Sequence, residues 1–138
     1  MATDIEESQH VILFYKYHPL SSDWDVTEVY RKSLEQLCQN LRLKGRILVG
    51  CSKTEGINGT LAGRQGGVSA FTRAFLRDSI EENDTRRDSI RLFRQESRNF
   101  FASVGEDELF FDSPDDFKWS KCDSTQDELF PDLNIKLV

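Results

Sequence analysis

Three cysteines carry the most nucleophilic side chains of this sequence. A catalytic thiolate needs an exposed, electropositive position. Cys38 falls on the apolar face of a predicted helix and Cys51 ends a predicted strand, so both are interpreted as small core residues. Cys122 follows Lys121 in a polar segment and is the most exposed candidate. Because none of the three has a clear catalytic partner, we predict structural roles for the cysteines and no catalytic residue in this chain.

Metal ligation would require His, Cys or carboxylate side chains at ligand spacing. His10 and His18 stand at the two ends of one predicted strand and cannot converge on one ion. The acidic segment with Asp112, Asp115 and Asp116 lacks the glycine and the terminal glutamate of a calcium loop. The sequence therefore predicts neither a metal site nor a cofactor.

Glycines are concentrated between Gly45 and Gly63, a distribution that raises the question of a phosphate-binding loop. Their spacing matches neither the Walker pattern nor the dinucleotide fingerprint, and Glu55 would repel a phosphate. An apolar run, a polar break at 52–56 and a second apolar run favour a β-hairpin instead. Glycines in such a hairpin indicate backbone that passes where side chains do not fit, or that adopts positive φ.

Two elements must precede this hairpin. The segment 10–17 is rich in β-branched and aromatic residues and apolar on both faces, which predicts a central strand buried on both sides. Ser22, Asp23 and Asp25 offer N-caps for a helix, and Gly45 is interpreted as the positive-φ residue that closes it. The predicted buried face of this helix repeats every three or four residues, at Val26, Val29, Tyr30, Leu34, Leu37, Cys38 and Leu41.

After the hairpin, a loop at 64–67 and a second amphipathic helix at 68–80 are predicted. A strand at 133–138, with alternating apolar residues, would then complete the order βαββαβ. We therefore predict an α+β, ferredoxin-like fold. It consists of an antiparallel sheet with two helices on one face, plus an inserted helix and long loop.

The chain is predicted to form one domain. Residues 1–9 are interpreted as a disordered tail, and residues 10–138 as a single ferredoxin-like domain. Within it, residues 81–130 are predicted to form an inserted helix and an acidic loop whose aromatic side chains pack onto the core. Because the last predicted strand ends at Val138, the chain is expected to be a domain of a longer protein.

The net charge of −6 conceals an uneven distribution. Residues 11–78 contain ten Lys or Arg against six Asp or Glu, whereas residues 79–138 contain eight against fifteen. A basic front half can attract phosphates, although scattered solvated charges would give the same composition. The N-terminus lacks the features of a targeting signal, and no apolar run is long enough to span a membrane. A cytoplasmic protein without membrane contact is expected.

An acylphosphatase-type hydrolase is the sharpest enzyme alternative for a βαββαβ domain. That chemistry needs an arginine in a phosphate-cradling loop after the first strand and an asparagine that positions water. The loop at 17–22 contains neither arginine nor glycine, and Asn58 would have no partner. Since the cradle is missing, hydrolysis is the least favoured of the alternatives.

Several motifs resemble one family. The stretches Phe-Tyr-Lys-Tyr at 14–17, Gly-Arg-Ile at 45–47 and Glu-Gly-Ile-Asn-Gly-Thr at 55–60 are similar to those of rhodanese-related tRNA uridine hydroxylases, at matching distances. Near the C-terminus, Asp-Asp-Phe-Lys-x-Ser-Lys at 115–121 and Phe-Pro-x-Leu at 130–133 resemble the eukaryotic, thiosulfate sulfurtransferase/rhodanese-like branch of that family. The resemblance does not extend to Ser52-Lys53-Thr54 or to the insertion at 81–111, which depart from the family pattern.

The resemblance implies an acylphosphatase-like N-terminal domain that precedes a rhodanese domain with the catalytic cysteine. A rhodanese loop has an arginine five positions after that cysteine, whereas Gly56 follows Cys51 and Asp127 follows Cys122 at this distance. The chain is therefore interpreted as a non-catalytic part of a protein that resembles a sulfurtransferase or tRNA uridine hydroxylase. Its implied partners are tRNA and a C-terminal rhodanese domain.

Two roles follow for this domain: positioning RNA, which by resemblance would be tRNA, or docking against the rhodanese domain. Lysine and arginine bind phosphates, and tyrosine stacks on bases. A module that binds protein through the acidic aromatic segment 110–119 is a further alternative. The predicted binding residues, for RNA or for the domain interface, are Lys16, Tyr17, Arg46, Lys53, Glu55, Gly56, Asn58, Gly59, Thr60 and Arg64, with Lys44 and Tyr15 on the same candidate surface.

Overall fold

The computed structural model describes residues 9–77, 86–122 and 130–138. The elements in this part of the chain are β1 (Gln9–Lys16), α1 (Trp24–Asn40), β2 (Lys44–Val49), β3 (Ile57–Arg64), α2 (Gln65–Ala74), α3 (Arg87–Val104), a short 3₁₀ helix (Pro114–Asp116), β4 (Lys118–Cys122) and β5 (Leu133–Leu137). Their arrangement confirms the predicted α+β, ferredoxin-like fold. Of the predicted tail, residues 1–8 lie outside the described residues, and Gln9 belongs to β1.

The five strands form one sheet in the order β4-β1-β3-β2-β5. Neighbouring strands are antiparallel except β2 and β5, which are parallel, so the sheet is mixed. The fourth strand of the βαββαβ unit is β4, beside β1. The C-terminal strand is instead an added fifth strand on the opposite edge. The prediction that 133–138 completes the unit was therefore wrong in position, and β4 was wrongly assigned to a loop.

Two helices, α1 and α2, lie on one face of the sheet as predicted, and the third helix, α3, packs on them. α2 packs on β1 and β3, α1 packs against β5, and α3 packs on both other helices. The predicted inserted helix is thus confirmed as α3, with Phe93, Phe100 and Phe101 buried. Phe111 and Phe117 of the acidic segment are buried as well, which confirms that this segment packs aromatic side chains onto the core.

The start of α1 agrees with the prediction and its end does not. The carboxylate of Asp23 accepts hydrogen bonds from the N–H groups of Asp25 (2.9 Å) and Val26 (3.3 Å), which makes Asp23 the N-cap. The first positive-φ residue after the helix is Arg42, with φ 58°; Gly45 has the predicted positive φ, 133°, but does not close the helix. Gly45 lies inside β2, where a Cβ would overlap the carbonyl oxygen of Thr60 on β3. Close strand pairing, and not helix termination, requires this glycine.

α2 begins directly after β3, so the predicted loop at 64–67 was wrong. The two glycines that suggested a loop belong to the first turn of the helix, where a Cβ on Gly67 would lie 2.5 Å from the carbonyl oxygen of Leu41. Gly67 is therefore needed for close packing against the end of α1. α2 ends at Ala74, and residues 78–80 of the predicted helix lie outside the described residues.

Arg31 joins α1 to the edge strand β5. Its guanidinium donates to the carboxylate of Glu28 (2.7 and 2.9 Å), to that of Glu35 (3.2 Å) and to the carbonyl oxygen of Ile135 (3.2 Å). The hydrogen bond with Arg31 lowers the pKa of Glu28, and the same bond raises the pKa of Arg31. This cluster fixes the added strand to the helical layer.

Candidate nucleic-acid interface

The face of the sheet opposite the helices is exposed around the end of β1, whereas Ala62 farther along β3 is buried. On β1 the side chains alternate, because Ile12 and Phe14 are buried whereas Leu13 and Tyr15 are 54% and 67% exposed. The prediction that β1 is buried on both sides was therefore wrong. We call this surface the open face and define it by the strand residues whose side chains, by alternation and register, lie on the same side of the sheet as Leu13 and Tyr15. Exposed apolar and aromatic side chains on a central strand mark a surface suited to binding.

Strand registers place the residues of the open face in rows that cross the sheet. The row through Leu13 contains Lys118, Leu13, Thr60, Arg46 and Asn134, from β4 to β5. The row through Tyr15 contains Tyr15, Asn58, Leu48 and Lys136. The row on the other side of Leu13 contains Ser120, Val11, Ala62 and Lys44, and Gln9 pairs with Arg64 beyond it. Residues far apart in sequence thus become neighbours.

Positive charge is concentrated on the sheet. As described, the five strands contain seven Lys or Arg residues and no Asp or Glu, in a chain whose net charge is −6. By their register, five of the seven belong to the open face: Lys44, Arg46, Arg64, Lys118 and Lys136. An acidic protein with a cationic sheet face is arranged to attract a polyanion to that face.

Two tyrosines stand at the end of β1. The rings of Tyr15 and Tyr17 are 5.7 Å apart between centroids and inclined by 66°, and Tyr17 is 73% exposed. Together with Asn58, Thr60 and Glu55 they line an open groove of about 410 Å³. Exposed tyrosine rings beside polar side chains can stack on nucleobases.

The glycines of the hairpin have a structural role. Gly56 has φ 80°, and a Cβ there would overlap the carbonyl oxygen of Lys16. A Cβ on Gly59 would lie 2.7 Å from the carbonyl oxygen of Arg46 and 2.9 Å from the ring of Phe14. These contacts confirm that the backbone passes where side chains do not fit. Whether either glycine also contacts a ligand stays a prediction.

Glu55 is placed by the turn between β2 and β3. The N–H groups of Thr54 and Glu55 donate to the hydroxyl oxygen of Ser52, at 3.2 and 3.1 Å, and the N–H of Gly50 donates to the carbonyl oxygen of Gly56 at 2.8 Å. This closed turn places the exposed Glu55 on the wall of the groove.

The predicted site residues do not all lie together. Tyr17, Arg46, Asn58 and Thr60 lie on or beside the open face near Tyr15, and Arg64 belongs to the same face farther along β3. Lys16 and Lys53 instead form ion pairs with the segment after α3, to Asp112 (3.8 Å) and Glu106 (2.9 Å).

Among the members of the open face that were not predicted from the sequence are Leu13, Lys118 and Lys136. Leu13 was assigned to the core. The two lysines lie on the strands whose positions were predicted wrongly. The alternation of apolar and polar residues on β5 was visible in the sequence. It would have indicated Lys136 as a member of the open face if the pairing of β5 with β2 had been known.

The loop after β1 is occupied by structural contacts. Leu20 is fully buried, and its N–H donates to the carbonyl oxygen of Ser52 at 3.0 Å. The His18 ring packs edge-on against Phe101, with 5.2 Å between the centroids, and its Nε2 lies 2.6 Å from the carbonyl oxygen of Asp107. The loop therefore anchors the hairpin and the end of α3.

The cysteine thiols with described side chains are poor nucleophiles. Burial raises the pKa of Cys38, which is fully buried, and burial also raises that of the half-buried Cys51. The side chain of Cys122, the most exposed candidate from the sequence, lies outside the described residues. In the described ranges no three His, Cys, Asp or Glu side chains are grouped as metal ligands, and no helix is long and apolar enough to cross a membrane.

Comparison with known proteins adds two findings. The sequence model of the UPF0176 acylphosphatase like domain matches residues 9–138. Proteins named tRNA uridine(34) hydroxylase are similar over half of the chain: the one from Staphylococcus saprophyticus is 38% identical over 69 residues and that from Enterococcus faecalis 40% identical over 68. The match spans 20% and 19% of the length of these two proteins.

Proposed function

Since this chain belongs to the family of UPF0176 acylphosphatase like domains, we propose that it is the non-catalytic N-terminal domain of a cytoplasmic tRNA-modifying protein and that its open face positions the RNA. In this proposal, a rhodanese-type domain of the same protein carries the catalytic cysteine. The relatives named tRNA uridine(34) hydroxylase support the link to tRNA modification.

The observation that carries the proposal is the separation of charge in the fold. Five Lys or Arg residues belong to the open face, and the described strands contain no acidic residue. Cations spaced across a sheet can follow the phosphates of a single strand, while the exposed Tyr15 and Tyr17 offer stacking surfaces for its bases. Contacts between the cations and the RNA phosphates would supply affinity, and the two tyrosine rings would hold the unpaired bases.

RNA binding can be measured by fluorescence anisotropy with a labelled single-stranded RNA and with a tRNA transcript. If all five open-face cations meet phosphates, the logarithm of the binding constant should fall with the logarithm of salt concentration with a slope of about −3.5. That slope corresponds to about 100-fold weaker binding at 200 mM than at 50 mM salt. No binding at 50 mM salt would refute RNA contact by this domain.

A matched pair of charge reversals locates the binding surface. Arg46→Glu, in the centre of the open face, should reduce the salt slope by about 0.7 and weaken binding. Lys32→Glu changes the net charge equally but lies exposed on α1, so binding should stay close to wild type. Equal losses in both variants would mean that net charge, and not the open face, governs binding.

Docking against the rhodanese domain is a second candidate, favoured by a separate surface. Between α1 and α3 lies a largely apolar groove of about 520 Å³, which Val26, Val29 and Phe100 help to line. Val29 is 56% exposed, although it was predicted to be buried with the rest of the α1 face. A purified rhodanese-type domain should then perturb amide signals of α1 and α3, and Val29→Asp should abolish the effect. Unchanged signals at high concentration would refute this candidate.

A further inference from the structure

The groove beside β1 has the composition of a nucleobase site. Tyr15 and Asn58 are direct cross-strand partners, which places the ring and the amide next to each other. The Tyr17 ring forms a second wall, at 66° to the ring of Tyr15. The groove has a volume of about 410 Å³, which is within the range of sites for small ligands. A base stacked on Tyr15 would therefore present its edge to the polar side chains of the groove.

Two polar groups can read such an edge. The carboxylate of Glu55 only accepts hydrogen bonds, whereas the amide of Asn58 both donates and accepts. Both side chains are exposed and line the same groove. Within the described ranges neither takes part in a side-chain hydrogen bond or ion pair, so both are available to a ligand.

Glu55 is an unusual residue for a surface that binds a polyanion. It would repel a phosphate, so its presence on the groove wall calls for a ligand that donates hydrogen bonds. The Watson–Crick edge of guanine presents two adjacent N–H donors beside a carbonyl oxygen, and that of uracil presents one N–H between two carbonyl oxygens. Where guanine and uracil have a ring N–H, adenine and cytosine have a ring nitrogen that only accepts hydrogen bonds. This nitrogen and the carboxylate of Glu55 are both acceptors, so they cannot form a hydrogen bond with each other.

We propose that this groove is a subsite for one keto base of the bound single strand and that it prefers guanine to uracil. The base stacks on Tyr15, its ring N–H donates to the carboxylate of Glu55, and its carbonyl oxygen accepts from the amide of Asn58. Guanine gains a second bond to Glu55 through its exocyclic amino group. This inference rests on the proposed RNA binding by the open face and adds a base preference to it.

The preference can be measured with seven-nucleotide RNAs of cytidine in which the central position is guanosine, uridine, adenosine, cytidine or an abasic site. Anisotropy titrations at 50 mM salt should show at least about 5-fold tighter binding of the guanosine RNA than of the adenosine and cytidine RNAs, with the uridine RNA between them. Glu55→Gln should remove this discrimination, because the glutamine amide both donates and accepts hydrogen bonds and so can pair with the edge of any of the four bases. Tyr15→Ala should weaken binding of all RNAs with a central base by about 10-fold.

The possible results separate the two proposals. Equal affinity for all five RNAs, with binding still weakened in Arg46→Glu, would overturn the base subsite and leave the proposed contact with the RNA phosphates intact. Equal discrimination in wild type and Glu55→Gln would overturn the assigned role of the carboxylate. No binding of any RNA would overturn both proposals. Circular dichroism of each variant verifies that the domain is folded.

Discussion

Replacement of Gly56 by alanine should destabilise the domain far more than the same change at Gly105. Both glycines have positive φ, 80° and 74°, which costs a residue with a Cβ about 1 kcal/mol. They differ in the space around them. A Cβ on Gly105 would meet no atom within 4 Å, whereas on Gly56 it would overlap the carbonyl oxygen of Lys16 and lie 2.7 Å from the backbone nitrogen of His18.

These neighbours of Gly56 are backbone atoms, so they can move only if the end of β1 moves with them. Such overpacking adds about 2 kcal/mol to the cost of the φ angle. We therefore expect Gly105→Ala to lower the free energy of unfolding by about 1 kcal/mol and Gly56→Ala to lower it by about 3 kcal/mol. Urea denaturation followed by tryptophan fluorescence measures both values under the same conditions. Equal losses of about 1 kcal/mol would refute the close approach at Gly56 and leave this motif glycine available for a role in binding.

Three further predictions concern the helical layer, each measured by chemical denaturation. Arg31→Met should lower the free energy of unfolding by about 1 kcal/mol, because it removes the hydrogen bond to the carbonyl oxygen of Ile135. Tyr30→Phe should leave stability unchanged or raise it by up to about 1 kcal/mol. The buried Tyr30 hydroxyl makes no well-formed hydrogen bond in the described part of the chain. Burial raises its pKa, and a contact with the Ser97 side chain opposes that rise. Stability should fall above about pH 9. Burial raises the pKa of Cys38 and Tyr30 in the folded chain. At high pH the unfolded chain therefore releases protons that the folded chain retains, which favours unfolding.

Each of these predictions has its own control. Arg31→Lys keeps the positive charge but removes the several N–H donors of the guanidinium. Full stability in both Arg31 variants would show that β5 does not depend on the hydrogen bond from Arg31. A loss above 1 kcal/mol in Tyr30→Phe would reveal a hydroxyl hydrogen bond. If the decline at high pH is equally steep in the double variant Cys38→Ala/Tyr30→Phe, other groups cause it.

The parts of the fold that could be predicted from the sequence are those with a local signal. The hairpin was recognisable from two apolar runs around a polar turn, and α1 from its periodicity and from Asp23 at its N-cap. The added helix α3 was recognisable as a segment that carries apolar residues, among them Ile90, Phe93 and Phe101, between arginines. In each case neighbouring residues on one element determine the structure, so their pattern is sufficient.

The order of the edge strands could not be predicted because it depends on contacts between distant residues. β4 has the sequence Lys-Trp-Ser-Lys-Cys, and without an apolar alternation it resembles a loop. β5 has alternating apolar residues, but nothing in its sequence indicates that it pairs with β2. Arg31 of α1 helps to hold β5 in this position through its hydrogen bond to Ile135. The start of α2 was missed for a related reason, since Gly67 serves a contact with Leu41 that is remote in sequence.

The candidate site was predicted only in part for the same reason. Tyr15, Arg46 and Asn58 were named from their types and positions near the motif, and the structure places them on one surface. Apolar residues on both sides of β1 suggested complete burial, because the sequence does not show that only one face of the sheet is covered. The contribution of Lys118 became visible only with the pairing of β4 and β1.

RNA contact by the open face can be observed residue by residue. Isotope-labelled protein titrated with single-stranded RNA at low salt should show amide shifts in Tyr15, Arg46, Asn58 and Lys118 that diminish as salt is added. Amides of α1 and α3 should keep their positions. Shifts confined to the groove between α1 and α3, or no shifts at 50 mM salt, would contradict RNA positioning by the sheet.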